Sequence, residues 1–441
     1  VIVVGAGPAG TRAAQTLAAA GLRPTVIDEA PANGGQIYRR QPAGFRRKPA
    51  ELYGTEAARA TDLHASFDAL RDRIDHRPQT LAWNIHDGVL HTVHGTTAKA
   101  LRFDALILAT GASDRIFPLP GWTLPGVYTL GAAQIALKAQ ATAIGRRIVF
   151  MGTGPLLYLV AAQYAKAGVS VAAVLDTSPL SATLHALPLL AARPDVLAKG
   201  AALLWQLRRA GIPCHRGLTP RAIEGTDRVE AITFGTTRIA CDAVAFGYHL
   251  RAETQLADLA GCEFRFDAPS RQFLPETDQD GRSSVKGIYL AGDGARILGA
   301  DGAEIAGRLA AAAVLADLGL PHPDPVPLRA MQTKMDRFRR GLAIAFPPPA
   351  FTLPDDTLVC RCEAITAGAL RRAATALDAN EVNRAKSFSR VGMGRCQGRY
   401  CGLASAEIVA AARNIPIEQA GRLRGQAPVR PLPIATVLQD E

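Results

Sequence analysis

The sequence predicts an α/β protein: two Rossmann-like dinucleotide-binding domains followed by a small, cysteine-bearing C-terminal domain. Three observations carry this. A glycine-rich turn, Gly5-Ala6-Gly7-Pro8-Ala9-Gly10, lies between an apolar strand and an Ala-rich helix. A second such turn, Gly152-Thr153-Gly154-Pro155-Leu156-Leu157, follows 147 residues later. Four of the seven cysteines, Cys360, Cys362, Cys396 and Cys401, crowd into the tail.

In order along the chain, residues 1–4 read as a strand, 11–20 as a helix ended by Gly21, and 25–27 as the next strand. Residues 101–108 form another strand, and 118–126 are rich in turn residues. The pattern restarts with a strand over 147–151, a helix over 156–167 and a strand over 170–175. Residues 179–209 are helical and Leu/Ala-rich, 287–290 an apolar strand, and 303–318 a long Ala-rich helix. Proline-rich stretches at 321–327 and 347–354 read as linkers. The expected boundaries are 1–113 with 248–325 for the first fold and 114–247 for the second, with a helical insertion. A linker is expected over 326–354 and the C-terminal domain over 355–441.

In the first turn Gly5 permits the sharp bend, Gly7 lets backbone approach a pyrophosphate, and Gly10 lets the helix pack close to the sheet. Pro8 and Ala9 open the helix, whose N-terminus favours an anion. Asp28, followed by Glu29, ends the next strand 18 residues after Gly10, where a carboxylate accepts hydrogen bonds from a ribose. Three loops further along the chain indicate FAD rather than NAD. Gly34-Gly35-Gln36 is a loop whose backbone can lie against an isoalloxazine ring, and Ala109-Thr110-Gly111 ends an apolar strand at a tight turn. Gly292-Asp293 does the same after 287–290, with Asp293 a candidate for a ribityl hydroxyl. The helix from about Ala303, including Glu304, is placed to aim its positive end at the flavin.

The second turn departs from this pattern. Its third position is Leu157, a bulky side chain expected to push the helix from the sheet and disturb a pyrophosphate seat. Asp176 still stands where a ribose would need it, but no Arg cluster follows for a 2′-phosphate, so NADP is disfavoured and NAD doubtful. No redox dithiol occurs in residues 1–350; Cys214, Cys241 and Cys262 are isolated and read as small hydrophobes.

The tail pairs Cys360-Arg361-Cys362 with Cys396-Gln397-Gly398-Arg399-Tyr400-Cys401, with 33 residues between the pairs. Four thiolates on turns suit one metal centre, a [2Fe–2S] cluster or structural zinc. Beside a flavin fold a redox cluster is the more coherent reading. Gly392, Gly394, Gly398 and Gly402 leave room for N–H donors toward sulfur, and Arg361, Arg395 and Arg399 are the local cations.

Composition excludes several classes. The chain has 441 residues, 48% of them apolar, enough for two or three domains. No run reaches the ~18–20 uninterrupted apolar residues of a membrane span. No leader is visible, and an odd number of cysteines in a large chain argues for the reducing cytoplasm. The net charge of +11 is scattered apart from Arg39-Arg40, Arg46-Arg47-Lys48 and the arginines at 337 and 340. No nucleic-acid-binding module is recognisable.

Residues 1–320 resemble the thioredoxin-reductase-like flavoprotein reductases, through the residues above together with Pro120-Gly121 and Ala291-Gly292-Asp293. In that group Asp293 would contact the FAD chain and the backbone near Glu304 would approach the flavin. The tail resembles the [2Fe–2S] domain of bacterioferritin-associated ferredoxin, with Cys-x4-Cys in place of its second Cys-x-x-Cys. The whole chain resembles the α subunits of hetero-oligomeric amino-acid, opine, proline or hydroxyproline dehydrogenases, relatives of the hydrogen cyanide synthase B subunit. The stretches Asp28 to Arg39, Gly121-Trp122-Thr123-Leu124-Pro125-Gly126-Val127 and Gly392 to Gly402 carry this.

That resemblance implies an amino-acid-oxidase-like β subunit that does the first oxidation, a small ferredoxin-like γ subunit in some complexes, and FMN at a subunit interface in others. The first site of such chains holds FAD or another adenine nucleotide. No His/carboxylate constellation suited to substrate proton abstraction is present, so no catalytic residue is assigned. A flavin exchanges one or two electrons and a [2Fe–2S] centre one, so their pairing makes a two-to-one electron converter. Two other readings stay open: a stand-alone NAD(P)H-dependent reductase that feeds the cluster, and a non-enzymatic scaffold with structural zinc.

Overall fold

The computed structural model describes residues 1–441 apart from 43, 46, 350, 351, 440 and 441, and the side chains of 437–439. Arg46 of the basic cluster thus lies outside the described residues.

The first fold is a parallel five-stranded sheet in the order Ile288–Leu290, Leu106–Leu108, Ile2–Val4, Thr25–Ile27, Asp75–Arg77. Strands Ile2–Val4, Leu106–Leu108 and Ile288–Leu290 are buried along their whole length, as a sheet covered on both faces requires. Helices Pro8–Ala19 and Gly299–Asp317 cross on one face so closely that a Cβ on Gly307 would stand 2.0 Å from the Ala9 carbonyl oxygen. On the other face Ile2, Val4, Ile27 and Leu106 pack on Ala82, Ile85, Leu90 and Leu101 of the antiparallel strands Thr80–His86, Val89–His94 and Thr97–Arg102. The strand expected over 101–108 is therefore two, broken between Arg102 and Leu106.

The second fold repeats the plan in the order Cys214–Arg216, Ser170–Asp176, Arg147–Thr153, Ala243–Tyr248, Val127–Thr129, all parallel. The helical stretch at 179–209 is two helices, Leu180–Leu190 and Pro194–Arg209; Pro194 restarts the second because its fixed φ suits a first turn.

Two boundaries differ from expectation. Residues 326–354 are mostly not a linker: Val326–Ala345 is a 20-residue helix lying on Leu180–Leu190, with Ala345, Leu342 and Phe338 packed on Ala186 and Leu190. The C-terminal domain also ends before residue 441. Val429 N–H donates to the Trp83 carbonyl at 3.1 Å, and Val437–Gln439 adds a parallel strand beside Thr97–Arg102 of the first fold.

The C-terminal domain itself is a two-stranded pair, Leu358–Cys360 with Ile365–Thr366, under helices Ala367–Thr375, Val382–Ser389 and Gly402–Arg413. Thr366 and Glu381 cap the first two helices through their side chains. Leu370, Ala374, Val391, Ala404 and Val409 form its own core.

Candidate functional site

The residues expected at the first nucleotide site come together at the C-terminal ends of the first sheet. Gly5 has φ +103°, and a Cβ there would lie 2.3 Å from the Ala109 carbonyl oxygen. A Cβ on Gly10 would lie 1.7 Å from the Gly5 oxygen, which is the close helix–sheet approach this position demands. Gly7 meets Gly35, and Gly34 N–H donates to the Ala6 carbonyl at 2.9 Å, so the Gly34-Gly35 loop is tied to the turn. Ala9, Gly292 and Ala303 meet in one contact, and Gly294 sits against Thr110. Small residues are needed at each point because two backbones share the space. A Cβ on Gly111 or Gly299 would meet nothing within 4 Å, so the region beside them is open.

The carboxylates divide into different tasks. Asp28 accepts from the N–H of Ala6 at 2.6 Å and of Ala30 at 2.7 Å, which fixes it over the glycine turn. Glu29 points away, to Arg430 at 3.1 Å. Gln36 is exposed and accepts from Arg39 at 2.8 Å. Asp293 accepts from Leu298 and Gly299 N–H, both through Oδ1, and burial pushes its carboxyl above the usual range. The helix behind it begins at Gly299, four residues earlier than expected. Glu304 does not face the crevice as a free group: it binds Arg12 at 2.8 Å and Arg59 at 3.1 Å, and so clamps three helices together.

The second nucleotide site is filled from within. Asp176 is fully buried; it accepts from Tyr158 Oη at 2.5 Å and from Ser178 N–H and Oγ, and lies 3.5 Å from Arg216. The ribose acceptor expected there is already saturated by the chain. Leu157 is absorbed into the core with Ile148, Phe150 and Val160. His249, beside Gly154, is held by the Phe346 carbonyl at 2.5 Å, so the end of the Val326–Ala345 helix reaches this glycine turn.

The four tail cysteines converge. Cys396, half-buried, and Cys401, buried, lie in the loop before helix Gly402–Arg413, opposite Cys360 and Cys362 at the end of the strand pair. A bond from the Cys401 thiol, with N–H groups of Gly392, Glu363 and Cys362, outweighs burial and brings Cys360 down to about 6. Cys401 also bonds Cys396, which with N–H groups of Tyr400 and Gly398 reaches about 5; Cys401, the shared donor, is pushed up. Among the described residues no three His, Cys, Asp or Glu side chains are already gathered as a metal cage. The donor chemistry nonetheless fits a thiolate-bound centre: the thiols are mutually in reach and surrounded by backbone donors. A Cβ on Gly394 would stand 2.3 Å from Cys362 Cβ, so only glycine allows that loop to close. Cys241 and Cys262 are buried free thiols in apolar cores, as expected, and Cys214 is half-buried beside the second core.

The two sites are joined by residues that sequence reasoning did not single out. Thr110 Oγ donates to the Glu253 carbonyl at 2.6 Å, and Glu253 N–H donates to the Gly111 carbonyl. The Glu253 carboxylate takes Arg399 at 2.6 and 3.2 Å, and Arg399 donates on to the Cys396 carbonyl at 3.3 Å. Burial raises the Glu253 carboxyl, but Arg251 and Arg399 outweigh it and hold it below the usual range. Gln255 donates to the Gln397 carbonyl at 2.6 Å. Of the expected local cations, Arg361 stacks on Tyr400 and Trp122 and Arg395 is exposed; only Arg399 lies in the joint. From the second fold Trp122 Nε1 donates to the Leu358 carbonyl at 2.7 Å, two residues before Cys360. Pairing across 146 residues leaves no local signal, so Glu253 was not legible.

Known proteins share this architecture. Residues 1–314 match the pyridine nucleotide-disulphide oxidoreductase model, and residues 358–411 the BFD-like [2Fe-2S] binding domain. The chain belongs to the pyridine nucleotide-disulphide oxidoreductase family. Over its whole length it is 39% identical to the A-subunit of opine oxidase from Rhizobium meliloti, covering 87% of that protein. It is 30% identical to hydrogen cyanide synthase subunit HcnB of Pseudomonas aeruginosa, over 98% of this chain and 97% of that one. The fold of L-proline dehydrogenase from P. horikoshii superimposes with a TM-score of 0.71 at 18% identity, over 99% of this chain and 79% of that one. The expected α/β architecture, its flavoprotein family and the C-terminal [2Fe–2S] domain are thereby borne out. The chain is an oxidoreductase subunit, and relatives that are themselves named as subunits of larger enzymes make a partner chain part of its setting. Among the described residues no helix is long and apolar enough to cross a membrane.

Proposed function

We propose that this chain is the electron-transfer subunit of a hetero-oligomeric, cytoplasmic dehydrogenase. A partner subunit oxidises a C–N bond of an amino acid, imino acid or opine. This chain holds FAD at the first fold, through the Gly5–Gly10 turn, Asp28, the Gly34-Gly35 loop, Thr110 and Asp293, and a [2Fe–2S] cluster on Cys360, Cys362, Cys396 and Cys401. When bound, the flavin supplies two-electron acceptance with one-electron release, and the cluster one-electron transfer. The chain's own groups position these centres, and none is assigned to substrate proton transfer.

The observation that carries this reading is the bonded line Thr110–Glu253–Arg399–Cys396, which links the flavin loop to the cluster loop. The stand-alone reductase reading is disfavoured because Tyr158 and Ser178 already occupy Asp176 in the second fold. FMN at a subunit interface and a small ferredoxin-like γ subunit belong to the same picture of the complex. The test is anaerobic reduction. An opine, proline, hydroxyproline or glycine should bleach the flavin only when the co-purifying partner is present. Rapid bleaching of the isolated chain by NADH would overturn the reading, and zinc without iron or labile sulfide would replace the cluster with a structural metal.

A further inference from the structure

Arg251 lies on strand Leu250–Ala252, which pairs antiparallel with Ala112–Asp114 directly after the Thr110 turn. Its side chain is 14% exposed and faces the joint between the first fold and the C-terminal domain. There it lines a cavity together with Gln255, Gln397, Gly398, Gly402 and Leu423, the last four from the C-terminal domain. Its nearest carboxylate, Glu253, is 3.9 Å away, beyond hydrogen-bond distance, and Nη1 is buried without a hydrogen-bond partner. Glu253 is already engaged by both arms of Arg399. Lys386, also nearly buried, bonds only the neutral Gln426 amide at 3.2 Å and acts on Cys401. Three cations, Arg251, Arg399 and Lys386, thus stand around Cys396 and Cys401; of the carboxylates beside them, Glu253 is taken by Arg399, and Asp258, which lines the same cavity, is taken by Arg422 and Arg424. Arg251, at 3.9 Å, and Arg399, in direct contact, share the single Glu253 carboxylate, so one positive charge of the two guanidiniums is left over.

A buried guanidinium remains charged, and leaving it unpaired is costly unless something nearby turns negative. Reduction of a four-thiolate [2Fe–2S] cluster adds one electron and no proton, so the cluster becomes more negative by one charge. We propose that Arg251 is a positioning residue for electron transfer: its uncompensated charge stabilises the reduced cluster and makes the cluster the acceptor for electrons leaving the reduced flavin. Glu253, on the same strand end, opposes it. This rests on the proposed cluster assignment and adds the residue that sets the direction of flow.

The experiment is an EPR-monitored redox titration of the full chain with dithionite and mediators, alongside iron and labile-sulfide analysis. Arg251→Met is expected to lower the equilibrium constant for cluster reduction at least tenfold, which is 59 mV for one electron. Arg251→Lys should stay within threefold of the parent. Glu253→Gln should move the constant the opposite way, a reversal that a merely structural role would not produce. An unchanged potential in cluster-loaded Arg251→Met overturns the proposal. If that variant does not load iron, an unchanged or lowered potential in Glu253→Gln overturns it instead. A parent chain without iron and sulfide overturns the cluster assignment itself, which separates the two failures.

Discussion

Glu304 offers a direct test of how the first site is held rigid. The carboxylate is 12% exposed and Arg12 is 7% exposed, with 2.8 Å between them; Arg59 takes the second oxygen at 3.1 Å. Glu304→Gln keeps the shape but removes the charge and one of the two acceptor oxygens. Breaking a buried pair from one side costs about 3–5 kcal/mol. Arg12 retains Asp62 at 2.5 Å, Gln15 and Ser66, and Arg59 retains Glu56 and Asp301, so the loss should fall at or below the lower end, about 2–3 kcal/mol. On the scale of about 2–4 °C per kcal/mol for domains of this size, that is a fall of roughly 5–10 °C in Tm. The assay is urea denaturation of the flavin-loaded chain, read as a shift in midpoint at constant slope. Asp62→Asn is the control, because that partner is 64% exposed and should cost less than about 1 kcal/mol. The reasoning fails if Glu304→Gln costs under about 0.5 kcal/mol, or if the exposed control costs as much.

The same structure sets three other expected outcomes. Burial brings the Lys138 ammonium from 10.5 down to about 8, so between those values the unfolded chain binds more protons than the folded one and stability rises with pH. Lys138→Met should abolish that slope and stabilise the chain at pH 7 by about 2–3 kcal/mol; a slope that persists in thermal melts across this window would refute it. Gly10→Ala puts a methyl 1.7 Å from the Gly5 oxygen and should cost about 1–3 kcal/mol and lower the flavin absorbance per chain after gel filtration. Cys401→Ser should strip iron and labile sulfide, whereas Cys262→Ala, in the core of the first fold beside Ser283, should leave both unchanged; equal iron loss in both would count against the ligand set.

What the sequence revealed depends on how local the physics is. The Gly5–Gly10 turn, its strand and its helix lie within 19 residues, and each glycine answers a steric demand that a neighbouring backbone imposes. The cysteines are legible because thiolates at two turns have few other uses. The 326–345 helix was missed because prolines on both flanks suggested a linker. Its signal was nonetheless present in Leu328, Met331, Met335, Phe338, Leu342 and Ala345, which repeat every three or four residues on one face. The closure of the second nucleotide site was less accessible. Asp176 has the position of a ribose acceptor, and only the fold shows that Tyr158 reaches it. Arg251 and Glu253 carry no motif; their role comes from a domain joint that brings residues around 250 beside residues around 400.

Trp122 belongs to the second fold and holds the strand that leads to Cys360, while Glu253, Gln255 and Asp258 of the first fold hold Arg399, Gln397 and Arg422. The C-terminal domain is thus gripped from two sides. On the proposed assignment of flavin and cluster, electrons passing between the Thr110 loop and the cysteine loop cross a gap whose width is set by this packing, with no docking or swinging step to wait for. Their rate should be indifferent to sucrose or glycerol in the solvent and to dilution of the protein, so any viscosity dependence in turnover would report on the partner subunit's own motions.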